Sequence, residues 1–367
     1  MSGLLKNGKP LKIALLVGKI KNAGDYLIAE RTKQLLKSVY PECEVNEYIR
    51  VYRLEPQLSG LNSNDIAVIA GGPALLSGNN PLLALEDLSQ ITIPIFALGV
   101  GWFGADTKPD ILYRYELSGA NLELFKRIAT DAKTICCRDM ASINILRNSG
   151  LECGLLTGCP AWYDLKKIQS LKVNKKLSRK IGKVCISDPA NPGNMGKLLE
   201  VVQYVHKFIA PEEIVVVFHR GIASNVESYQ IVLKYLEENQ IAYFDIANDW
   251  VGFKQYDDAD LHIGFRVHAH LYNLSKRNIS VLISEDGRGL AVNETLGLPI
   301  IRPYNNLVIN EGRFMSAPNE YLVYQLDDVI KNMIDTNYYE LERAFETMNH
   351  YYQNMTKHIS TMKDFVR

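Results

Sequence analysis

The stretch from Asp260 to Leu274 places an arginine and a histidine, Arg266 and His268, two positions apart after a short apolar run and a flexible Gly264. This order predicts a strand, a turn and the start of a helix, where free backbone N–H groups and the helix dipole attract anions. The planar guanidinium of arginine presents paired N–H donors to an oxyanion, and the unperturbed pKa of histidine lies near neutral pH. The stretch therefore predicts a phosphate or carboxylate site in which His268 moves a proton. The competing interpretation is an ordinary surface arginine and a space-filling histidine.

Two further histidines, His262 and His270, lie in the same stretch. A zinc site needs acidic, thiolate or imidazole ligands at suitable spacing, and no acidic or thiolate residue is spaced with these two. We therefore expect no metal.

A second group of polar residues follows the apolar run KIALLV, from Lys12 to Val17. Asn22, Gly24 and Asp25 form a turn before residues with helical spacing, so they lie beyond the carboxyl end of a strand, where α/β sheets bind ligands. These three residues are candidate substrate-binding residues. Helix capping by Asn22 or Asp25 would also explain them.

Glycines follow two more apolar runs, and both groups are candidates for a ligand-facing loop. Gly71 and Gly72 come after DIAVIA, where their backbone N–H groups could approach a substrate or form a plain tight turn. Gly99 begins a G-x-G-x-x-G sequence, but no strand with an acidic residue follows at the dinucleotide-binding distance, so no nicotinamide cofactor is expected.

Two more candidate substrate-binding residues stand at predicted strand ends. Arg138 follows the strand from Thr134 to Cys137, with a salt bridge to Asp139 as the alternative role. His219 follows the strand from Ile214 to Phe218 in the second half of the chain.

Strands alternate with helices along the chain, which predicts an α/β fold with parallel sheets and right-handed crossovers. We expect an N-terminal domain over residues 1–165, a basic linker over 166–182, a C-terminal domain over 183–335 and a helical segment over 336–367 that closes back across both domains. The linker shows a shift to lysine-rich composition, which indicates a solvated segment rather than a nucleic-acid contact.

The charge balance excludes strong electrostatic attraction to nucleic acid, because 41 Lys and Arg residues match 41 Asp and Glu residues. No apolar run approaches the roughly 18 residues that a membrane span needs, and the N-terminal run is too short for a signal peptide. These features predict a cytoplasmic protein without an integral membrane segment, and they leave peripheral membrane contact and oligomeric state open. The six cysteines lack metal-type spacing and indicate reduced core residues.

Taken in order, the motifs resemble those of the polysaccharide pyruvyl transferase family. They are NAGD at residues 22–25, GGP at 71–73, RDMASINILRNSG at 138–150 and GFRVH at 264–268. Arg266 and His268 match the Arg-x-His motif of that family, and Arg138 matches the arginine of its middle motif.

The resemblance implies two Rossmann-like domains that face a central cleft, as in B-type glycosyltransferases. It implies transfer of a pyruvyl ketal group from phosphoenolpyruvate to a sugar of a cell-surface polysaccharide or a lipid-linked precursor, with the acceptor on the N-terminal side, the donor on the C-terminal side and no cofactor. His268 and Arg266 would be catalytic. Two alternatives stay open: a nucleotide-sugar-dependent glycosyltransferase of similar architecture, and a non-catalytic protein of the same fold that binds glycan or phosphate.

Overall fold

A computed structural model of the chain describes residues 8–75, 81–102, 104, 115–177, 180–310 and 313–366. It contains two α/β halves, each built on parallel strands, and a long C-terminal helix that contacts both. Every apolar run that was predicted to be a strand forms one, because each is covered on both sides of its sheet. The predicted domain boundaries stay a prediction.

The N-terminal half holds eight parallel strands in two four-stranded sheets, with orders β2-β1-β3-β5 and β4-β6-β7-β8. The strands are β1 Lys12–Val17, β2 Glu44–Ile49, β3 Ile66–Ile69, β4 Gly72–Leu75, β5 Ile95–Ala97, β6 Val100–Trp102, β7 Ile135–Cys137 and β8 Gly154–Leu156. Four α-helices accompany them in the described residues: α1 Ala23–Val39, α2 Leu58–Asn62, α3 Gly119–Ala132 and α4 Met140–Asn148.

Two glycines join the two sheets of this half. Gly71 lies between β3 and β4 with a φ of +84°, and Gly99 lies between β5 and β6 with a φ of +65°. A Cβ atom at Gly71 would lie 2.7 Å from the carbonyl oxygen of Leu98, and one at Gly99 would lie 2.4 Å from that of Gly158. The paired β3 and β5 therefore bend side by side and continue as the paired β4 and β6.

The C-terminal half is a five-stranded parallel sheet with order β11-β10-β9-β12-β13. Its strands are β9 Lys183–Ser187, β10 Glu213–Phe218, β11 Ala242–Asp245, β12 Leu261–Gly264 and β13 Ile279–Leu282. Its helices are α5 Met195–Tyr204, continued by a π-helix Val205–Ile209, then α6 Glu227–Glu238, α7 Val267–Lys276 and α8 Gly287–Leu296. Strand β9 lies between β10, the next strand in sequence, and β12, which begins the other side of the sheet. The strand order therefore reverses between β9 and β12, and a topological switch point lies at their carboxyl ends.

An antiparallel hairpin and two helices complete the described chain. The hairpin consists of β14 Tyr304–Asn310 and β15 Arg313–Pro318, and the helices are α9 Leu322–Asp335 and α10 Tyr339–Thr361. Short 3₁₀ helices span Glu55–Gln57, Leu88–Gln90, Pro160–Trp162, Pro192–Asn194, Val251–Tyr256 and Met362–Phe365.

Helix α10 packs against both halves. The Tyr40 hydroxyl of the N-terminal half donates to the carbonyl oxygen of Ile359 at 2.7 Å. In the C-terminal half, the guanidinium of Arg277 lies 4.7 Å from the ring centroid of Phe345. This helix therefore connects the two halves.

The lysine-rich segment between the halves is largely exposed, and two of its lysines pair with acidic residues. Lys172 pairs with Glu342 of α10 at 2.6 Å, and Lys175 pairs with Asp260 beside β12. The buried Arg277, at the end of α7, donates to the carbonyl oxygens of Ser170 and Ile168 at 2.6 and 2.9 Å. The segment is therefore anchored to the helix that carries His268 at its other end.

Three other features of the described residues bear on function. No helix there combines the length and hydropathy that crossing a bilayer requires. The six cysteines form no disulfides, and five of them are buried. No three His, Cys, Asp or Glu side chains of this part of the chain converge as metal ligands.

Candidate active site

A pocket of about 50 Å³ lies where the carboxyl ends of the C-terminal strands meet the start of α1. The loops after β9, β10, β12 and β13 all contribute to its wall, as a switch point requires. Its polar side chains include Asn22, His219, Arg266, His268, Glu285 and Arg288.

Arg266 is the N-cap residue of α7, as predicted from the sequence, but its guanidinium is largely engaged. Nε and Nη2 donate to the two carboxylate oxygens of Asp188 at 2.7 and 2.5 Å, and Nη2 also donates to the carbonyl oxygen of Pro189 at 2.9 Å. Burial opposes the charge of Arg266, yet Asp188 more than offsets it, so the pKa of Arg266 is raised. Within the described residues only Nη1 lacks a hydrogen bond, and that atom is the one left for an anionic ligand.

His268 also lines the pocket, and its environment differs from the one we expected. Its side chain is buried, and Nε2 has no hydrogen-bond partner in the described part of the chain. Burial, then the charges of Arg138, Arg288 and Arg266, lower the pKa of His268 to about 3. The expected near-neutral pKa is therefore wrong for this structure, because burial, and then the surrounding positive charge, keep the imidazole neutral.

Gly24 lies directly against this imidazole, across the boundary between the halves. A Cβ atom at Gly24 would lie 2.2 Å from Nδ1 of His268 and 2.7 Å from its Cγ. The next residue towards the N terminus, Ala23, donates its backbone N–H to the carbonyl oxygen of His219 at 2.9 Å. The start of α1 thus meets the start of α7, and Gly24 makes room for the histidine.

Asn22 and Asp25 are linked to each other rather than to the end of their helix. Asn22 occupies the N-cap position of α1 without a capping side-chain hydrogen bond, and its Nδ2 donates to Oδ2 of Asp25 at 2.9 Å. Burial raises the pKa of Asp25, although Asn22 and the charges of Arg50, Arg288 and Arg220 oppose the shift. The alternative of side-chain capping by Asn22 is therefore wrong.

Arg138 is fully buried beside the pocket instead of lining it. Its Nε donates to Oδ2 of Asp139 at 2.7 Å, and Nη2 donates to the carbonyl oxygen of Trp102 at 3.3 Å, while Nη1 has no partner in the described chain. A Cβ atom at Gly101 would lie 2.3 Å from the guanidinium carbon, so that glycine makes room for Arg138. The salt bridge considered from the sequence is present, and the charge still reaches His268.

His219 lines the pocket as a buried residue. Its Nε2 hydrogen-bonds with the Tyr256 hydroxyl at 2.7 Å, and its backbone N–H donates to Asp188 at 3.0 Å. Burial lowers the pKa of His219 well below its usual range. It is therefore a neutral residue that holds the wall of the pocket and Asp188 in place.

The glycines predicted to face a ligand lie near the junction of the two N-terminal sheets. Gly71 and Gly72 are buried, and neither belongs to the pocket wall. In the G-x-G-x-x-G sequence at Gly99, residues Val100–Trp102 form strand β6, whereas Gly104 borders a cavity of about 370 Å³ next to the pocket.

Charged residues of the pocket were missed at the sequence level, among them Glu285 and Arg288. Glu285 and Arg288 belong to the loop EDGRG, which follows β13 and opens α8 in the same way that GFR opens α7. The carboxylate of Glu285 accepts the backbone N–H of Ala190 at 2.6 Å and the side-chain amide of Asn194 at 2.7 Å. Burial raises the pKa of Glu285 to about 7. The rule that selected Arg266, a charged residue at a strand end before a helix, would have selected both.

Comparison with models of protein families identifies the family of this chain. The model of the polysaccharide pyruvyl transferase family matches residues 22–272, which is more than half of the chain. The chain belongs to this family. The match contains the motifs at residues 22–25, 71–73, 138–150 and 264–268 that carried the resemblance, whereas Glu285 and Arg288 lie beyond it.

Solved structures support the fold of this family member. The Staphylococcus aureus MnaA structure with UDP has a TM-score of 0.52 at 12% identity, covering 97% of this chain and 98% of that one. UDP-GlcNAc 2-epimerase from Neisseria meningitidis bound to UDP-GlcNAc has a TM-score of 0.50 at 10% identity, covering 96% and 99%. At such identities the similarity shows the GT-B-like α/β fold alone. No curated protein sequence matches the chain.

Proposed function

We propose that this protein transfers a pyruvyl ketal group from phosphoenolpyruvate to a sugar of a cell-surface polysaccharide or its precursor. The observation that carries the proposal is the buried Nε2 of His268, which has no partner in the described residues and stands among the charges of Arg138, Arg266 and Arg288. A small donor with a phosphate and a carboxylate complements such a pocket.

The reaction requires a proton at one carbon and an attack at the next. The methylene carbon of phosphoenolpyruvate gains a proton and becomes a methyl group, and the central carbon becomes electrophilic. Two hydroxyl oxygens of the acceptor bond to that carbon and lose their protons, while the carbon–oxygen bond to phosphate breaks and phosphate leaves as hydrogen phosphate. Positive groups that face the phosphate and carboxylate stabilise the charge on the departing group.

His268 is the group that we assign to the proton transfer. A neutral imidazole in the empty pocket gains a proton when the negative charges of the donor arrive, because they stabilise the imidazolium. General acid catalysis by a positioned group contributes about 10²- to 10⁴-fold in rate. Arg266, held by Asp188, is the residue that we expect to orient the donor through Nη1.

A phosphate-release assay with phosphoenolpyruvate and a panel of sugars tests the proposal. Turnover that depends on both substrates, and that His268→Ala abolishes while donor binding persists, supports it. Arg266→Ala should weaken donor binding itself. Normal turnover by His268→Ala would contradict the role given to the imidazole.

Thermal stabilisation separates the alternatives, since a ligand that binds only the native state raises the melting temperature. Stabilisation by phosphoenolpyruvate supports pyruvyl transfer, whereas stabilisation by nucleotide sugars alone favours a glycosyltransferase. Binding of either without turnover favours a non-catalytic glycan-binding or phosphate-binding protein. The identity of the acceptor, a cytoplasmic location and peripheral membrane contact stay predictions.

A further inference from the structure

Two buried histidines, His262 in β12 and His270 in α7, have no part in the proposed reaction. Nδ1 of each ring lies 2.7 Å from the hydroxyl oxygen of Ser280 in β13. Nε2 of His262 lies 3.0 Å from the hydroxyl oxygen of Ser187, the last residue of β9. That oxygen accepts the backbone N–H of Arg266 at 3.2 Å. A buried row, formed by Ser187, His262, Ser280 and His270, therefore leads to the main chain of an arginine in the pocket wall.

The direction of each hydrogen bond in the buried row follows from the number of hydrogens available. Burial lowers the pKa of both histidines, so each ring carries one N–H and one bare nitrogen. The Ser187 hydroxyl has one hydrogen, and within the described residues the partner that can accept it is Nε2 of His262. His262 therefore carries its proton on Nδ1 and donates it to the oxygen of Ser280. The Ser280 hydroxyl in turn donates to Nδ1 of His270.

The far end of the buried row agrees with this direction. Because its Nδ1 accepts, His270 carries its proton on Nε2. That nitrogen and Oδ1 of Asn293 in α8 are both buried without a hydrogen-bond partner in the described part of the chain. Burial lowers the pKa of His270 to about 3, and Asn293 opposes this shift, as an acceptor that faces the ring does. The opposite direction is excluded, because it would turn a bare nitrogen towards this acceptor and leave the Ser187 hydrogen without a partner.

Ser187 is the point at which the buried row meets the pocket. Its hydroxyl oxygen accepts the main-chain N–H of Arg266, and the next residue, Asp188, binds the guanidinium of the same arginine. A Cβ atom at Gly264 would lie 2.2 Å from the hydroxyl oxygen of Ser187, so this close approach requires glycine. The oxygen can turn a lone pair towards Arg266 because its hydrogen points the other way, to Nε2 of His262.

We propose that His262 is a positioning residue for donor binding: in its Nδ1–H tautomer it accepts the hydrogen of Ser187 and so keeps the serine oxygen available to the main chain of Arg266. Ser280 and His270 fix this tautomer, because the Ser280 hydrogen is bound by His270 and the Ser280 oxygen is left to accept from His262. The effect on donor binding rests on the proposed function, whereas the tautomers do not depend on it.

Long-range ¹H–¹⁵N NMR of the full chain, with both ring nitrogens of histidine labelled, reads the tautomers directly. We expect His262 to be protonated at Nδ1 and His270 at Nε2 from about pH 6 to about pH 8. His262→Gln and His270→Gln each remove one set of signals and so assign the spectrum. A proton on Nε2 of His262 in the unaltered protein would overturn the inference.

Ser280→Ala breaks the buried row at a residue outside the pocket wall. It leaves Nδ1 of His262 without an acceptor, so we expect the proton of this ring to move to Nε2. There it faces the oxygen of Ser187 and turns the serine hydrogen towards Arg266. The dissociation constant of phosphoenolpyruvate, measured by calorimetry, should then rise about five- to tenfold, the effect of losing about one hydrogen bond.

Ser275→Ala is the matched control. Ser275 is a buried serine of α7 whose hydroxyl donates to the carbonyl oxygen of Tyr272 at 2.7 Å, and it is not a member of the buried row. Its loss should leave both tautomers unchanged and the affinity for phosphoenolpyruvate within about twofold. Circular dichroism checks that both serine variants keep the fold.

The inference is also overturned if Ser280→Ala and Ser275→Ala bind phosphoenolpyruvate equally well, or if Ser280→Ala leaves the tautomer of His262 unchanged. Failure of the proposed function gives a different result. The unaltered protein then does not bind phosphoenolpyruvate, while His262 and His270 still show the stated tautomers. In that case the buried row supports the main chain of Arg266, and its role in donor binding is refuted.

Discussion

Replacing His268 with Gln tests whether donor binding carries a proton to the imidazole. The pKa of His268 in the empty pocket is about 3. Two negative charges about 5 Å from the ring favour the imidazolium by about 7 kcal/mol at an effective dielectric constant of about 20. An interaction of this size is large enough to raise the pKa of His268 from its low value into the neutral range.

The sign of the pH effect follows from this rise in the pKa of His268. Between about pH 4 and pH 7 the free protein holds no proton on His268 and the complex holds one, so each binding event takes up about one proton. Donor affinity should therefore rise about tenfold for each unit by which the pH falls in this range. Protonation of the donor phosphate opposes this rise, but it affects the protein and its variants equally.

Calorimetry in buffers of different ionisation enthalpy counts the protons taken up at pH 6 to 7. The unaltered protein should take up about one more proton than His268→Gln, and the ratio of their dissociation constants should follow pH. His358→Gln is the matched control, because burial lowers the pKa of His358 to about 4 while its ring packs on Phe96 outside the pocket wall. Equal proton counts for His268→Gln and the unaltered protein would refute the reasoning.

Three further changes have defined outcomes. Gly24→Ala should lower kcat about 100-fold with the fold retained, because its Cβ would displace the ring of His268; circular dichroism and phosphate release check this. Asp188→Asn should lower the free energy of unfolding by about 3–5 kcal/mol in urea titrations, because it leaves the buried Arg266 charge without its partner. His358→Leu should make the free energy of unfolding less sensitive to acid. In the unaltered protein the neutral ring of His358 contributes its full stabilisation above about pH 6.5. About 2 kcal/mol of this free energy is lost by pH 5, because the unfolded chain gains a proton that the buried ring does not.

Each of these changes has a matched comparison. Gly196→Ala meets no atom within 4 Å of its Cβ and should leave both fold and kcat intact. Asp327→Asn removes a partly exposed ion pair with Lys331 but keeps an amide oxygen that can accept from the Tyr204 hydroxyl, so it should cost less than about 0.5 kcal/mol. Equal effects for Gly24→Ala and Gly196→Ala, or for the two aspartate variants, would contradict the stated roles, as would an unchanged stability slope between pH 6.5 and 4 for His358→Leu.

Local patterns predicted the framework of the site well. The apolar run before Gly264 formed β12, and the change to helical spacing after it placed Arg266 and His268 at the start of α7. These features depend on residues that are neighbours in sequence. The same logic, applied to EDGRG, would have predicted Glu285 and Arg288.

The failures involve contacts between distant parts of the chain. Gly24 is followed by ordinary helical spacing, and nothing nearby indicates that it will meet an imidazole 244 positions later. The bend at Gly71 requires its neighbour Gly99, and the low pKa of His268 results from burial together with charges from both halves. Short-range periodicity contains no information about such pairs, so they become visible only in the folded chain.

Because Gly24 contacts His268, the histidine belongs to one half of the molecule and the helix start that covers its ring belongs to the other. If the halves separate to admit a substrate, water reaches the ring and its pKa returns towards the ordinary value of about 6.5. Reclosing without a donor then drives that proton into solvent, whereas reclosing on a doubly charged donor retains it. The cleft would thus respond to acidity as well as to ligand, and mild acid would favour its open, empty form.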